Sequence, residues 1–271
     1  MVGHTPTRSG ICIDTDPTGR ATMRRMSDAS TTQPLVVLVH GAWHGAWCWA
    51  ALQAELDGRG IASMAVDLPG HGASTLPLAD LYGDAQHVAD VVGVLQRDVV
   101  LVGHSYGGAV ITEAATRIQQ AGSGPVRHLV YLAAFAPDDN ESIGTLLATL
   151  PRATVALGAA MVMRDDGTSV LTPELAAPAL YGSCSPAVVQ ASLARLSPQP
   201  GSTFGQPVSG SPRATIDSTY VVCTLDQAIA PAHQEAMSAR CGTVVTLHTD
   251  HSPFVSMVPE TADIIATAVA S

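Results

Sequence analysis

A valine-rich run, Val99-Val100-Leu101-Val102, ends in Gly103-His104-Ser105-Tyr106-Gly107-Gly108 and is followed at once by a helix-compatible segment, Ala109 to Ile118. No other stretch constrains the fold so tightly. A buried strand, a sharp turn with a glycine on either side of a serine, and a helix form the context in which Gly-x-Ser-x-Gly presents a nucleophile. The turn forces Ser105 into a strained backbone conformation, and Gly103 and Gly107 leave room for it because they lack a Cβ. The hydroxyl is then offered at the carboxyl edge of a sheet, beside the amino end of a helix whose dipole favours developing negative charge. The bland alternative is a tight turn with an inert serine, and partners elsewhere in the chain decide against it.

The chain around this turn has a strand–helix rhythm. Leu35 to Val39 is a continuous apolar run, the mark of a parallel strand buried on both faces. Leu52 and Leu56 follow at helical spacing before Gly58 and Gly60. Ser63 to Val66 is the next strand, and a helix over Asp80 to Leu95 places Val88, Val91, Val92 and Leu95 on one face. After the elbow, strands are expected at His128–Ala134, Thr219–Leu225 and Val244–His248, with a last helix at Pro259–Val269. Such alternation implies α/β architecture, a mostly parallel sheet of about six strands with helices on both faces.

Two regions break the rhythm. Residues 1–33 lack periodicity and read as a mobile extension with a weak strand at Ile11–Ile13, leaving 34–271 as one domain. Residues 136–218, rich in Pro, Gly and Ser, carry short helical pieces at Ile143–Leu150 and Pro186–Leu196 and read as a helical lid inserted over the site.

Bulk properties exclude several classes. The 271 residues can bury a substantial core, and a net charge of −10 argues against nucleic acid as a partner. All 13 basic residues are arginine, which removes every mechanism that needs a lysine. The five cysteines are scattered with no Cys-x-x-Cys, so neither a disulfide framework nor a zinc site is indicated. His40 and His44 have four-residue spacing, but the glycines between and beside them argue against a helical metal pair. No metal and no cofactor are expected. No stretch is apolar enough to span a membrane and no secretory segment is evident, so the reading is soluble and cytoplasmic, with monomer and homodimer both open.

A serine hydroxyl needs a base, and the base an orienting acid. In open sheets with this elbow the order is Ser, Asp, His. Asp226 directly follows one apolar run and His251 lies just beyond the next, both at carboxyl ends of strands. Asp138, beyond the preceding strand, is the rival acid. Among other histidines, His248 is expected inside its strand, His233 on a surface helix and His104 beneath the turn; Asp250 suits a turn role. The oxyanion needs two N–H donors, assigned to Tyr106, after the nucleophile, and Ala42, in the loop after the first strand. Pocket candidates are Trp43, Tyr106, Phe135, Met161, Met163, Phe204 and Phe254.

These pieces together resemble the α/β-hydrolase superfamily. HGAWHGAWCW at 40–49, DLPGHG at 67–72, VGHSYGG at 102–108, AAFAPD at 133–138, LDQAIAPAHQ at 225–234 and DHSPFVSMVPE at 250–260 are similar to the branch of methylesterases, hydroxynitrile lyases and bacterial pyrethroid esterase-like hydrolases. The resemblance implies an α/β-hydrolase fold, a triad of Ser105, Asp226 and His251, and donors at Ala42 and Tyr106. Lyase members carry a threonine and a lysine where this chain has Gly41 and Ser252, which favours ester hydrolysis. Tyr106 stands where the branch often has leucine, and its phenol is expected to line the acyl pocket. The function implied is a serine carboxylic ester hydrolase acting on small to medium esters. The alternatives are a thioesterase, lactonase or C–C bond hydrolase, and a non-catalytic small-molecule receptor.

Overall fold

Alternation along the central strands builds the fold. In β3 (Leu35–Val39), Val36 and Leu38 enter one core while Val37 and Val39 enter another. β5 (Val99–His104) does the same with Val100 and Val102 against Val99 and Leu101. Side chains of a strand point alternately to opposite faces, so a run buried on both faces has no polar positions to spare. This is why the apolar runs read as continuous.

The computed structural model describes residues 33–122 and 125–271, and the backbone of two short strands before them. Those strands, β1 (Ile11–Thr15) and β2 (Ala21–Arg25), pair antiparallel with each other. The mobile extension expected over 1–33 lies, apart from these strands and residue 33, outside the described residues, and the strand expected at Ile11–Ile13 falls within β1. With β4 (Ser63–Val66), β6 (Val126–Leu132), β10 (Asp217–Cys223) and β11 (Thr243–Leu247), strands β3 and β5 form a six-stranded sheet in the order β4-β3-β5-β6-β10-β11. Every pair in it is parallel.

Helices cover both faces. α1 (Ala50–Gly58) and the last helix, α10 (Val258–Ala270), lay Leu52, Leu56, Ala262 and Ile265 on one face. α2 (Leu81–Leu95) and α3 (Gly107–Gln120) cover the other with Val88, Val92, Val110 and Ile111. Each such fully buried valine, leucine or isoleucine contributes about 1.5–3 kcal/mol by leaving water. Boundaries differ from expectation by two residues at β6 and β10. β6 stops at Leu132 because Ala133 turns left-handed, with φ of 44°.

The inserted segment holds more order than its composition suggests. α4 (Ile143–Thr149) begins with a reciprocal Ser142–Thr145 capping box. Then come α5 (Leu157–Ala160), β7 (Met161–Met163), β8 (Thr168–Leu171), α6 (Pro173–Tyr181), α7 (Pro186–Leu193) and β9 (Gln199–Pro200). β7, β8 and β9 make a small antiparallel sheet. α6 was not expected, because Pro178 lies inside it and interior proline ordinarily ends a helix. α8 (Pro231–Ser238) and the short α9 (Pro253–Ser256) complete the fold. Among the described residues no helix is long and apolar enough to cross a membrane.

Candidate active site

β5 delivers Ser105 to the carboxyl edge of the sheet in the left-handed conformation, φ 52°. The next residue is already helical and α3 starts at Gly107. A Cβ at Gly107 would stand 2.6 Å from the carbonyl oxygen of Val39, so only glycine lets the elbow pass this close to β3. The Ser105 carbonyl accepts from the amides of Gly108 and Phe135, both at 3.1 Å, which holds the strained turn in place. Its hydroxyl has no hydrogen-bond partner among the described residues and faces a cavity.

Asp226 and His251 sit on the turns after β10 and β11, both fully buried. His251 Nδ1 is 2.6 Å from Asp226 Oδ2. Asp226 Oδ1 accepts the amides of Ala228 and Ile229, at 2.6 and 2.9 Å. Oδ2 also accepts from Gln234 Nε2 at 2.7 Å. Gln234 is itself fixed, since its oxygen accepts the Cys223 amide and its Nε2 donates to the Ile229 carbonyl. The carboxylate is thus held in one plane, and its contact with Nδ1 puts the imidazole proton there, leaving Nε2 as the basic nitrogen. No hydrogen bond joins Nε2 to Ser105 in this resting arrangement.

Around this pair lies a belt of neutral imidazoles. His104 donates from Nε2 to the His251 carbonyl at 2.8 Å, its ring centre 4.5 Å from that of His251. Burial, then the neighbouring His251, drives its pKa well below the usual value. Burial likewise lowers His40, and takes His44 and His71 down to about 4. His40 accepts the Leu68 amide at Nε2 and anchors the 67–72 turn, in which Asp67 accepts the amides of Ala46 and Ala73.

The amides of Ala42 and Tyr106 donate to no other group among the described residues, and both residues are buried. The Tyr106 phenol lies elsewhere than expected. Its hydroxyl donates to Asp84 Oδ2 on α2 at 2.7 Å, so the ring packs beneath the elbow and does not line the cavity. Burial raises Asp84 to about 7, with the Tyr106 bond opposing and Asp80 adding repulsion, and Asp84 Oδ1 has no partner among the described residues. A carboxyl raised in the folded state is protonated in both states at low pH; stability is lost as pH rises from the ordinary carboxylate range through 7. Asp84→Asn is therefore expected to raise the melting temperature at pH 8, where the buried charge costs up to about 4 kcal/mol. The gain should shrink towards zero as pH falls to 4, a difference that thermal melts of both proteins across that range would show.

The cavity next to Ser105 has a volume of about 260 Å³. Trp43, Phe135, Met161 and Phe204 line it, with Ile143, Leu147 and Leu157 from the inserted segment, and no lining side chain is charged. Met163 does not reach it: it lies on β7, largely exposed, against Gly201. Phe254 is on the opposite face of the sheet, packed on Trp49 and His104 with ring centres 4.7 and 4.8 Å away. The rival groups are engaged elsewhere. Asp138 pairs with Arg213 at 2.5 Å and Arg240 at 3.4 Å. His248 lies past β11, exposed and bonded to Thr224; His233 is on α8 as expected, but buried, against the Pro151 carbonyl. Asp250 accepts from Ser183, Ser252 and Ser256, a turn role.

A profile of the alpha/beta hydrolase family matches residues 36–264. A carbendazim-hydrolysing esterase of Nocardioides sp. is 41% identical over 121 residues, 43% of this chain and 47% of that protein, so the match spans about half of that relative's length. Salicylic acid-binding protein 2 of Nicotiana tabacum is 28% identical over 85% of this chain and 94% of its own. A pyrethroid hydrolase structure from Sphingobium faniae superposes with a TM-score of 0.74 at 24% identity, covering 88% of this chain and 98% of that one. With the six-stranded parallel sheet and the serine elbow, these matches show that the chain belongs to the alpha/beta hydrolase family.

Proposed function

We propose that the protein is a serine carboxylic ester hydrolase that works through an acyl-enzyme, with Ser105 as nucleophile, His251 as base and Asp226 as orienting acid. The observation that carries this reading is the buried 2.6 Å contact between His251 Nδ1 and Asp226 at the same sheet edge as a left-handed serine. Ser105 Oγ attacks the ester carbonyl carbon while its proton passes to His251 Nε2. The new oxyanion accepts from the Ala42 and Tyr106 amides, which need no reorganisation at that moment. The intermediate collapses, the C–O bond to the alcohol breaks, and His251 returns the proton to the leaving oxygen. Water, deprotonated by the same nitrogen, then attacks the acyl carbon and releases the acid as Ser105 regains its proton.

The cavity suits an uncharged acyl group of small to medium size, since a charge brought there would be desolvated without a partner. Cyanohydrin cleavage is disfavoured on steric grounds. A Cβ at Gly41 would stand 2.9 Å from both His104 Nδ1 and Ser105 Cβ, so the lyase threonine has no room. Hydrolysis of p-nitrophenyl acetate and butyrate, with an organophosphonate adduct mapped by mass to the peptide carrying Ser105, is the expected result. A folded sample that turns over neither ester would refute the proposal.

A further inference from the structure

The polar groups of Trp43 bond to one part of the chain, the inserted segment that follows β6. Trp43 has φ of 64°, a conformation rare and costly for a bulky residue. Its amide donates to Gln199 Oε1 at 3.3 Å. Its carbonyl accepts from the Ser197 amide at 2.8 Å and its indole Nε1 donates to Ser169 Oγ at 3.1 Å. Gln199 is fully buried, with its Nε2 turned to Thr203 Oγ1 and its own carbonyl accepting from Ser169.

The Trp43 amide and the Ala42 carbonyl belong to one rigid peptide plane. That carbonyl accepts from His44 Nδ1 at 2.8 Å, and His44 Nε2 lies 2.6 Å from the Tyr181 hydroxyl on α6. Burial keeps the His44 ring neutral, so Nε2 is an acceptor and the tyrosine is the donor. The plane is therefore clamped on its N–H side by Gln199 and on its C=O side, through His44, by Tyr181. Both clamps come from the insertion, more than 130 residues away along the chain. The Ala42 N–H belongs to the preceding plane, whose Gly41 carbonyl accepts from His40 Nδ1 at 2.8 Å, and the two planes meet at the Ala42 Cα, so turning the clamped one strains the other and tilts that amide off the oxyanion.

We infer that Gln199, with Tyr181 acting through His44, is a positioning residue that aims the Ala42 amide at the oxyanion, so that the inserted segment builds part of the catalytic apparatus. This rests on the ester hydrolase reading above. The segment is not a door hung over a finished site: lifting it would free Trp43 to relax out of its left-handed conformation and would misalign one of two oxyanion donors.

Gln199→Met keeps the length of the side chain and removes the acceptor; Tyr181→Phe removes one hydroxyl. Each is assayed on p-nitrophenyl butyrate, with kcat expressed per Ser105 titrated to completion by an organophosphonate. A trifluoromethyl ketone with the same acyl chain serves as a hemiketal oxyanion mimic. For Gln199→Met, kcat per titrated serine should fall about 10- to 100-fold with KM within about twofold, less than the loss of a donor outright. The inhibition constant of the ketone should rise by the same factor. Tyr181→Phe should show the same pattern at about 3- to 10-fold, and it decides the matter should Gln199→Met not fold. Unchanged kcat per titrated serine overturns the inference, and so does a fall in kcat that leaves ketone affinity intact. Ser105→Ala separates this from the underlying reading. An active wild type, silenced by Ser105→Ala but indifferent to both variants, overturns only the positioning role. Turnover that survives Ser105→Ala overturns the mechanism itself.

Discussion

Ser105→Ala is expected to lower kcat for p-nitrophenyl butyrate by roughly 10⁴- to 10⁶-fold while leaving the melting temperature within a few degrees. The size follows from what the hydroxyl does. Among the described residues no other nucleophile faces the cavity, whose walls are apolar, and the buried His251 has only water to activate once the oxygen is gone. The residual rate would come from the two amide donors and from binding. Stability should hold because the hydroxyl makes no hydrogen bond to the described residues and the elbow is held by backbone contacts. Steady-state kinetics on protein shown to be folded by circular dichroism checks this, and a loss under tenfold would remove Ser105 from the chemistry.

Asp226→Asn is the second large effect, a fall in kcat of about 10⁴ near neutral pH, the size seen when a triad carboxylate becomes an amide. The surrounding donors dictate how the new amide sits. The position of Oδ1 faces the amides of Ala228 and Ile229, so the asparagine oxygen must stay there. Its NH₂ then takes the place of Oδ2, facing both Gln234 Nε2 and His251 Nδ1. It donates to Nδ1, drives the imidazole proton to Nε2 and leaves no lone pair to receive the serine proton. Gln234 meets a donor where it had an acceptor, so a stability loss of about 1–3 kcal/mol should accompany the kinetic one. Thermal melts and kcat measured together test both halves.

The two strongest signals in the sequence were local. Val99 to Val102 and Leu35 to Val39 read as buried strands because both faces of those strands are covered, and the elbow read as an elbow because glycine alone fits at 107. Asp226 and His251 were legible because each follows an apolar run. What escaped depended on distance along the chain. The role of Gln234 needs α8 folded against β10, and those of Gln199 and Tyr181 need the insertion docked on the 41–44 loop; neither leaves a spacing to read. α6 was hidden by its internal proline, and β7 to β9 are only two to four residues long. Tyr106 and Phe254 were aromatic residues beside the proposed catalytic positions, and adjacency in sequence said nothing of which side of the sheet their rings would take.

The crowding over Gly41 has a consequence for anyone redesigning this scaffold towards other reactions. A hydroxyl-bearing residue cannot be installed at 41 by a single exchange, because the ring of His104 occupies the space and also supports the backbone of residue 251. Shrinking residue 104 would relieve only one of the two contacts at 2.9 Å, because the Cβ of Ser105 stays in place, so the backbone of the 41–44 loop must shift as well. Libraries aimed at new chemistry there should therefore vary the loop itself together with position 104, because scanning one site at a time leaves a close contact in place.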